Sequence, residues 1–464
     1  MTMSAVPMGQ SAQHKSFPGP RGRPLVGNLL EAWNDPLDLF GSGTLRHGDL
    51  VRFRFAWIDY YLLNDAAAAH RVLVENAKGY HKSPNYKGLK IMLGQGLLTS
   101  EGDYWKRQRK LAQPAFHRES LRTFAREMVD ATSDMMARWR ADDAVKTAPF
   151  DLHQEMMRLT FRIVGKTLLG ADLEADAREF GESLNVALKW ANEYVESVVR
   201  VPPWVPTPNN RRFSRAQRSI EGVVRRVVEE RRKSGEKKND LLGMLMSARD
   251  EQTGETMSDR QLMDELLTLT LAGHETTANA LSFTFYLLSR HPSVARRARA
   301  EIASVLGTRD PGLEDLGSMP FTKALIEESM RLYPPAWVVE RYSLEEDEVL
   351  GHHIPKNAIV AVSPFAMHRN PRYFENPEGF DPDRFLTADP NRPKLAYMPF
   401  GAGPRTCIGN AFAMMEMQLI VPMLLRAFQL DLVSAFKLEL DPSVTLRPKA
   451  GIWVRFGDLP KRSN

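Results

Sequence analysis

The spacing of apolar residues predicts a largely helical chain. Between about residues 104 and 300, apolar positions recur at the spacing of helices that bury one face. The proline-rich segment Val201–Pro208 interrupts this pattern and is predicted to be a loop between two helices. An unusually long helix is predicted from about Asp259 to Arg290, because His291 and the proline after it favour a helix end. At 1.5 Å per residue this helix would be about 45 Å long and would cross the molecule.

A smaller β part is predicted from alternating apolar and polar residues at about 45–65 and 341–363. The rest of a single domain, residues 17–464, is predicted to be a helical body, with a flexible segment at 1–16. Residues 364–406 are rich in Pro, Gly, Asn and Asp, and irregular stretches of that length are generally functional or disordered. Another helix is predicted to follow Gly409. The expected fold class is therefore mainly α with a smaller β part.

Composition excludes several classes of function. The chain has 464 residues, 43% hydrophobic and 26% charged, as in an ordinary globular protein. Its net charge of +5 arises from 62 Lys and Arg against 57 Asp and Glu, and no segment combines a basic face with stacking aromatics. We therefore expect no nucleic-acid partner. A single cysteine excludes an intramolecular disulfide and the zinc or iron–sulfur sites that need several thiolates.

The sequence also predicts no transmembrane anchor. Residues 1–15 are polar and carry no apolar run. The most apolar later stretch, Leu266–Leu288, contains His274 and Glu275 near its middle, and a lipid-facing helix would not tolerate that pair. These features predict a buried helix and a soluble, cytoplasmic protein.

The lone cysteine lies in the run Phe400-Gly-Ala-Gly-Pro-Arg-Thr-Cys-Ile-Gly409. The glycines and the proline predict a tight loop that delivers Cys407 to the start of a helix, where backbone N–H groups favour a thiolate. Taken alone, an isolated cysteine is more often a small buried apolar residue. The run, however, resembles the haem-binding signature of the cytochrome P450 family, Phe-x-x-Gly-x-Arg-x-Cys-x-Gly, at every fixed position. This resemblance implies the family's fold and a haem b whose iron is bound by Cys407, with Phe400 and Arg405 also contacting the cofactor.

The long helix carries a second motif, Leu271-Ala-Gly-His-Glu-Thr-Thr277. Taken alone, its glycine and threonines indicate a locally weakened core helix. The segment is similar to the family's Ala-Gly-x-Asp/Glu-Thr motif, which lies over the haem. That likeness implies that Ala272 leaves room over the haem and that Thr276 and Glu275 deliver protons to dioxygen.

A third motif, Trp105-Lys-Arg-Gln-Arg109, is similar to the family's Trp-x-x-x-Arg helix. Residues four apart share one helix face, so an indole N–H and a guanidinium can converge on one anionic group. The resemblance implies that Trp105, Arg109 and Arg405 bind the haem propionates. Arg341, ten residues beyond Arg331, is a further candidate for the same role.

A supporting network is implied by Glu328-Ser-Met-Arg331 and the later Arg384. By spacing alone, a Glu and an Arg three apart predict only an exposed helical ion pair. The resemblance to the family's Glu-x-x-Arg motif and its arginine-containing meander implies instead a buried network that holds the cysteine loop. It also implies that residues 364–406 are pinned rather than disordered.

The resemblance runs from about Phe17 to Val454 and implies a monooxygenase that inserts one atom of dioxygen into an apolar small molecule. The motif wording is closest to the branch containing fatty-acid hydroxylases, and fatty-acid-, terpenoid- and polyketide-like substrates are all compatible with it. The expected pocket is formed by a loop at 86–98, helical residues at 269–276 and the stretch 336–339. The loop at 201–208 is expected to act as a lid.

Electrons are expected from a separate ferredoxin- or flavodoxin-type donor, and the protein is expected to be a monomer. The basic residues Lys106, Arg107, Arg109 and Lys110 are predicted to attract an acidic donor to their helix. Two alternatives remain: a peroxide-driven or isomerase-type haem-thiolate enzyme, and a non-catalytic haem protein. An intact Glu275 and Thr276 favour dioxygen as the oxidant, because enzymes that bypass it have less need of a proton relay.

Overall fold

The structure, a computed structural model, describes residues 15–116, 118–197, 200–238, 240–249 and 254–457. Most of the segment predicted to be flexible, residues 1–14, lies outside these ranges. The proline-rich lead-in after it lies against the body, because the Arg52 N–H donates to the Pro18 carbonyl at 2.8 Å and Phe17 packs edge-on against Tyr61.

Helices make up most of the described chain, as predicted. They are α1 (Leu29–Asn34), α2 (Pro36–His47), α3 (Ala66–His70), α4 (Lys87–Leu93), α5 (Gly102–Ala112), α6 (Arg118–Ala141), α7 (Asp143–Thr147), α8 (Leu152–Val164), α9 (Ala177–Glu196), α10 (Pro208–Ser234), α11 (Leu241–Ser247), α12 (Asp259–Arg290), α13 (Pro292–Leu306), α14 (Pro320–Leu332), α15 (Pro364–Met367) and α16 (Asn410–Ala427). None of these helices, as far as the structure describes them, combines the length and hydropathy needed to cross a membrane.

The described strands form four sheets. They are β1 (Leu50–Phe55), β2 (Ile58–Leu63), β3 (Tyr80–Lys82), β4 (Phe150–Asp151), β5 (Val339–Ser343), β6 (Asp347–Val349), β7 (His352–Ile354), β8 (Ile359–Val362), β9 (Gln429–Leu432), β10 (Leu440–Pro442), β11 (Leu446–Pro448) and β12 (Trp453–Gly457). The largest sheet has the order β1-β2-β8-β5-β3, in which only β2 and β8 run parallel. Strands β10 and β11 form a separate antiparallel hairpin.

The long helix α12 is confirmed at the predicted bounds. Its first turn is closed by a capping box, in which Ser258 and Gln261 bond to each other's backbone N–H groups. His291 follows its last residue, and Pro292 opens the next helix. Most of the side chains of α12 are buried, including His274 and Glu275. The predicted interpretation of this apolar stretch as a buried helix is therefore confirmed.

Two elements differ from the expectation. The stretch 86–98, predicted as a loop, contains the helix α4. The region after α16, expected to be helical, instead forms the strands β9 to β12. These strands have three to five residues each, so apolar alternation in them is too short to be distinguished from a loop.

Candidate functional site

A cavity of about 930 Å³ lies between the cysteine loop and the middle of α12. Its volume falls in the upper range of small-molecule sites. It is lined by every residue that the sequence analysis singled out for a cofactor or for catalysis: Trp105, Arg109, Ala272, Glu275, Thr276, Arg341, Phe400, Arg405 and Cys407. The structure thus brings together groups that are up to 302 positions apart in the chain, from Trp105 to Cys407.

The cysteine loop is held by backbone turns. Gly401 and Gly403 have φ values of 71° and 68°, in the left-handed region that favours glycine. At Gly403 a Cβ atom would lie 1.9 Å from the carbonyl oxygen of Leu73, so this position also needs the absence of a side chain. The Cys407 N–H then donates to the Phe400 carbonyl at 2.9 Å, which closes the loop just before α16.

The surface of Cys407 faces the cavity. Its side chain is accessible, and it is one of the residues that line the cavity. Burial within the protein raises the pKa of the Cys407 thiol, while a hydrogen bond from the Gly409 N–H and the charge of Arg109 lower that pKa. The net effect raises the pKa of Cys407, so the sulfur is a thiol until a cation or metal bound in the cavity stabilises its thiolate.

The predicted network behind the loop is confirmed. Arg331 donates to the two carboxylate oxygens of Glu328 at 2.7 and 2.8 Å, and both side chains are fully buried. Arg384 donates to the same carboxylate at 3.1 Å. The remaining Arg331 donors bond to carbonyls within the irregular stretch before the cysteine, at His368, Pro377 and Gly379. Residues 364–406 are therefore pinned, as predicted.

His368 joins this network to the cysteine loop, a role that the sequence analysis missed. Its Nε2 atom accepts the Met398 N–H at 2.9 Å, two residues before Phe400. Burial and the neighbouring Arg331 lower the pKa of His368 to about 3, so the ring is neutral at pH 7 and Nε2 is free to accept. No local pattern marks this histidine, because its partners come from separate segments.

Four cations gather at one end of the cavity. Arg109 donates to the Thr406 carbonyl at 2.9 Å, and Arg405 stacks on Trp105 with its guanidinium carbon 3.8 Å from the ring centroid. Lys82, which the sequence analysis missed, lies opposite Arg341 in the register of strands β3 and β5. All of these side chains line the cavity.

This cluster has too few counter-ions. Among the described carboxylates, only Glu101 forms an ion pair with any of the four cations, and its partner is Arg405. Burial and the charges of Arg405 and Arg341 lower the pKa of Lys82 to about 7. Burial likewise lowers the pKa of Arg405 to about 10. Bound anions would relieve this repulsion, so the cluster fits the two carboxylates of a haem.

The position of Arg109 corrects one expectation. It was predicted both as a cofactor ligand and as part of a basic docking surface with Lys106, Arg107 and Lys110. The structure turns Arg109 into the cavity, so it does not contribute to a surface. Lys106 is exposed and pairs with Asp103 at 2.7 Å.

On the wall that α12 forms, across the cavity from the cysteine loop, Thr276 donates to the Ala272 carbonyl at 2.6 Å. Such a bond to the preceding turn can weaken a helix, but α12 runs without interruption through this position. Glu275 is buried and accepts a hydrogen bond from the Thr445 hydroxyl at 2.7 Å. Burial raises the pKa of Glu275, and the nearby Arg447 lowers it. Thr445, just before β11, and Arg447, on that strand, reach α12 and were not predicted from the sequence.

Comparisons with known proteins agree with this geometry. A family model described as Cytochrome P450 matches residues 17–454. The cyclooctat-9-en-7-ol 5-monooxygenase of Streptomyces melanosporofaciens is 33% identical over 443 residues, 95% of this chain and 93% of that protein. The cyclooctatin synthase of the same organism is 33% identical over 453 residues, 96% of each chain. Cytochrome P450 4F2 of Homo sapiens is 32% identical over 401 residues, 81% of this chain and 76% of that protein. The similarity covers the cysteine loop, α12 and the network alike.

Proposed function

Since the chain belongs to the cytochrome P450 family and is a monooxygenase, we propose that it inserts one atom of dioxygen into a C–H or C=C bond of an apolar small molecule, while two electrons and two protons reduce the other atom to water. One observation carries the proposal: Cys407 and the pair Glu275–Thr276 line the same cavity. A thiol on one wall can bind iron, and a carboxyl beside a hydroxyl on the other wall can deliver protons.

The residues present fit the haem-thiolate cofactor of the family, and we propose that it is haem b. Cys407 would hold the iron, and Phe400 and Ala272 would pack against the porphyrin. The propionates would meet the cationic end of the cavity, formed by Trp105, Arg109, Arg341, Arg405 and Lys82. When bound, the haem supplies the activation of dioxygen, to which a thiolate ligand contributes electron density.

The protein's own part on the distal wall is to hold and move protons. The Thr276 hydroxyl is engaged with the Ala272 carbonyl, so it must leave that bond to donate into the cavity. Glu275 is the adjacent carboxyl, and its raised pKa favours proton exchange nearer to neutral pH than an exposed glutamate allows. These two residues therefore serve as the proton relay.

The remaining walls favour an apolar substrate. The three stretches expected to form the pocket all contribute, through side chains that include Leu89, Leu98, Leu269, Trp337 and Val338. The name of the Streptomyces melanosporofaciens 5-monooxygenase refers to cyclooctat-9-en-7-ol, an alkenol. We therefore favour a largely hydrocarbon substrate with few polar groups, of terpenoid-, fatty-acid- or polyketide-like kind. The segment 201–208 would close over it as a lid.

Electrons come, in this proposal, from a separate ferredoxin- or flavodoxin-type protein, and the enzyme acts as a cytoplasmic monomer. Exposed cations on α5, such as Lys106, would attract an acidic donor. Reduction of the iron by such a donor should slow as salt concentration rises. A rate that is independent of salt would contradict docking at α5.

The carbon monoxide spectrum of the reduced protein tests the central proposal. The wild type and Thr276→Ala should both show the red-shifted Soret band of thiolate-ligated haem, and Cys407→Ser should lose it. Absence of that band in the wild type would refute the function. Turnover with reductant and dioxygen, compared with turnover on peroxide alone, then separates a monooxygenase from a peroxide-driven enzyme.

A further inference from the structure

The carboxyl of Glu275 is held from the side of the molecule that carries the hairpin β10–β11. Thr445, just before β11, donates to Glu275 Oε1 at 2.7 Å. The Arg447 guanidinium lies 3.8 Å from the same oxygen. Thr445 lies in the bend just before β11 and Arg447 lies on that strand, and both side chains reach Glu275 on α12.

Arg447 is shared between this buried carboxyl and the surface. It donates to Asp441 across the hairpin at 2.9 Å and to Asn185 on α9 at 3.1 Å. Both contacts are shorter than its approach to Glu275, which at 3.8 Å is an ion pair without a direct hydrogen bond. The Arg447 and Asp441 side chains are 18% and 34% exposed. A continuous line of polar side chains therefore joins solvent to Glu275.

A second set of contacts orients Thr445. Asn279, one turn after Glu275 on α12, donates to the Thr445 hydroxyl at 3.3 Å. The side-chain amide oxygen of Asn279, Oδ1, lies 2.8 Å from His153 Nε2, so this nitrogen carries the proton. In this series of hydrogen bonds every donor points toward Glu275. The Thr445 hydroxyl therefore donates its hydrogen bond to the Glu275 carboxyl. An amide does not readily pass protons on, so this branch positions Glu275 rather than supplying it.

We propose that Arg447 is the positioning residue and counter-ion of Glu275, and that the hairpin β10–β11 forms the polar entrance through which protons from solvent reach it. The inference rests on the proposed role of Glu275 in the relay. Arg447 itself keeps its proton, so the protons travel on solvent beside its side chain. Asp441 holds Arg447 outward and thereby limits how strongly it pairs with Glu275.

The titratable groups around Glu275 set the direction of each test. Arg447 and Asp441 approach Glu275 from the hairpin. His153, on α8, is hydrogen-bonded to Asn279 of α12. Glu416, on α16, lies beside Thr277 of α12. Removing Arg447 takes away the stabilising charge and should raise the pKa of Glu275. Removing the charge of Asp441 frees Arg447 to pair with Glu275 and should lower that pKa. A merely structural role would not move the two variants in opposite directions.

The experiment follows the Glu275 carboxyl by infrared difference spectroscopy of the ferric holoprotein, with Glu275→Gln to identify its band. Arg447→Met should shift the titration of the Glu275 carboxyl upward by about one pH unit, a tenfold change in its proton affinity. Asp441→Asn should shift it downward, and Arg447→Lys should restore the wild-type value. Arg455→Met, at an exposed position of β12, is the matched control and should leave the titration unchanged.

Turnover supplies the second readout. The quantity measured is the amount of product formed per electron consumed, as a function of pH. The pH at which this ratio begins to fall should move in the same direction as the infrared titration of Glu275 in each variant. An unchanged titration in Arg447→Met, or equal shifts in Arg447→Met and Asp441→Asn, would overturn the inference. If Glu275→Gln leaves this coupling unchanged, the proposed relay fails instead, while the infrared titrations still decide whether Arg447 tunes Glu275.

Discussion

Two glutamate–arginine pairs, one supporting the cysteine loop and the other at Glu275 of α12, are built differently. Glu328 and Arg331 are fully buried and joined by hydrogen bonds of 2.7 and 2.8 Å. Glu275 and Arg447 approach only to 3.8 Å, and the arginine is partly exposed. The first pair satisfies its donors on backbone carbonyls, whereas the second shares its arginine with Asp441.

This difference matches two different tasks. A buried ion pair repays the cost of desolvation only when its hydrogen bonds are saturated, and it then holds a single geometry. The Glu328–Arg331 pair meets that condition and supports the cysteine loop. A loosely paired carboxyl can exchange a proton at lower cost, which suits Glu275. The same two residue types thus build a rigid support for the cysteine loop and an adjustable group at Glu275.

The largest effect is expected from Arg331→Met. It leaves the Glu328 carboxylate buried with only Arg384 as a charged partner, and breaking such a pair costs about 3–5 kcal/mol. Urea unfolding and haem content should both show the loss. Arg297→Met, which removes an exposed pair with Asp383, is the control and should change stability by less than about 1 kcal/mol. Equal effects of the two substitutions would contradict the support assigned to Arg331.

The loop that this support holds can be tested with two glycines. Gly403→Ala should cost about 2–4 kcal/mol, because its Cβ would meet the Leu73 carbonyl in addition to backbone strain. Gly401→Ala has the same strain but no atom within 4 Å of its Cβ, so it should cost only about 1 kcal/mol. Unfolding free energies of the two variants check the difference. Equal losses would show that close packing on Leu73 does not matter.

The supporting side should also be sensitive to acid. The pKa of His368 is lowered to about 3 in the folded protein from 6.5, so the unfolded state binds a proton first as the pH falls. The stability that depends on neutral His368 is complete above pH 6.5 and decreases below it, by about 2 kcal/mol at pH 5. The unfolding free energy of the wild type, measured between pH 7 and 5, should decrease by this amount. His368→Gln should lack the part of the decrease that comes from His368. The same dependence of the unfolding free energy on pH in both proteins would contradict this role of His368.

The smallest effect on stability is expected from Arg447→Met. Its pair with Glu275 is long and its side chain reaches solvent, so the cost in unfolding free energy should stay below about 1 kcal/mol. Urea unfolding beside Arg331→Met gives the direct comparison. A loss as large as that of Arg331→Met would mean that both pairs are structural supports.

Much of the site could be predicted because its motifs are short, local and similar to those of a known family. The glycines around Cys407 determine a loop conformation within ten residues, and the capped, apolar stretch of α12 identifies its helix from its own composition. Trp105 and Arg109 share a helix face at a spacing of four. Such features depend on bonds and contacts between near neighbours, so the order of residues alone carries them.

The contacts that cross the chain could not be predicted in the same way. Lys82 meets Arg341 only because β3 pairs with β5, and His368 meets Met398 only because the irregular stretch folds back on itself. Thr445 and Arg447 lie 170 and 172 positions from Glu275. The strands β9 to β12 are likewise too short to be predicted from their own residues without knowledge of the strands they pair with.

Sequence by itself thus determined the thiol, the loop that presents it, the long helix opposite and the residue types of the proposed relay. Tertiary structure alone decided that Arg109 turns inward, that four cations share one end of the cavity, and that Glu275 receives a loosely held counter-ion from a hairpin. The physical reason is the range of the forces. Turns and helices follow from local backbone preferences, whereas the charge state of a buried group depends on whichever distant segments the fold packs against it.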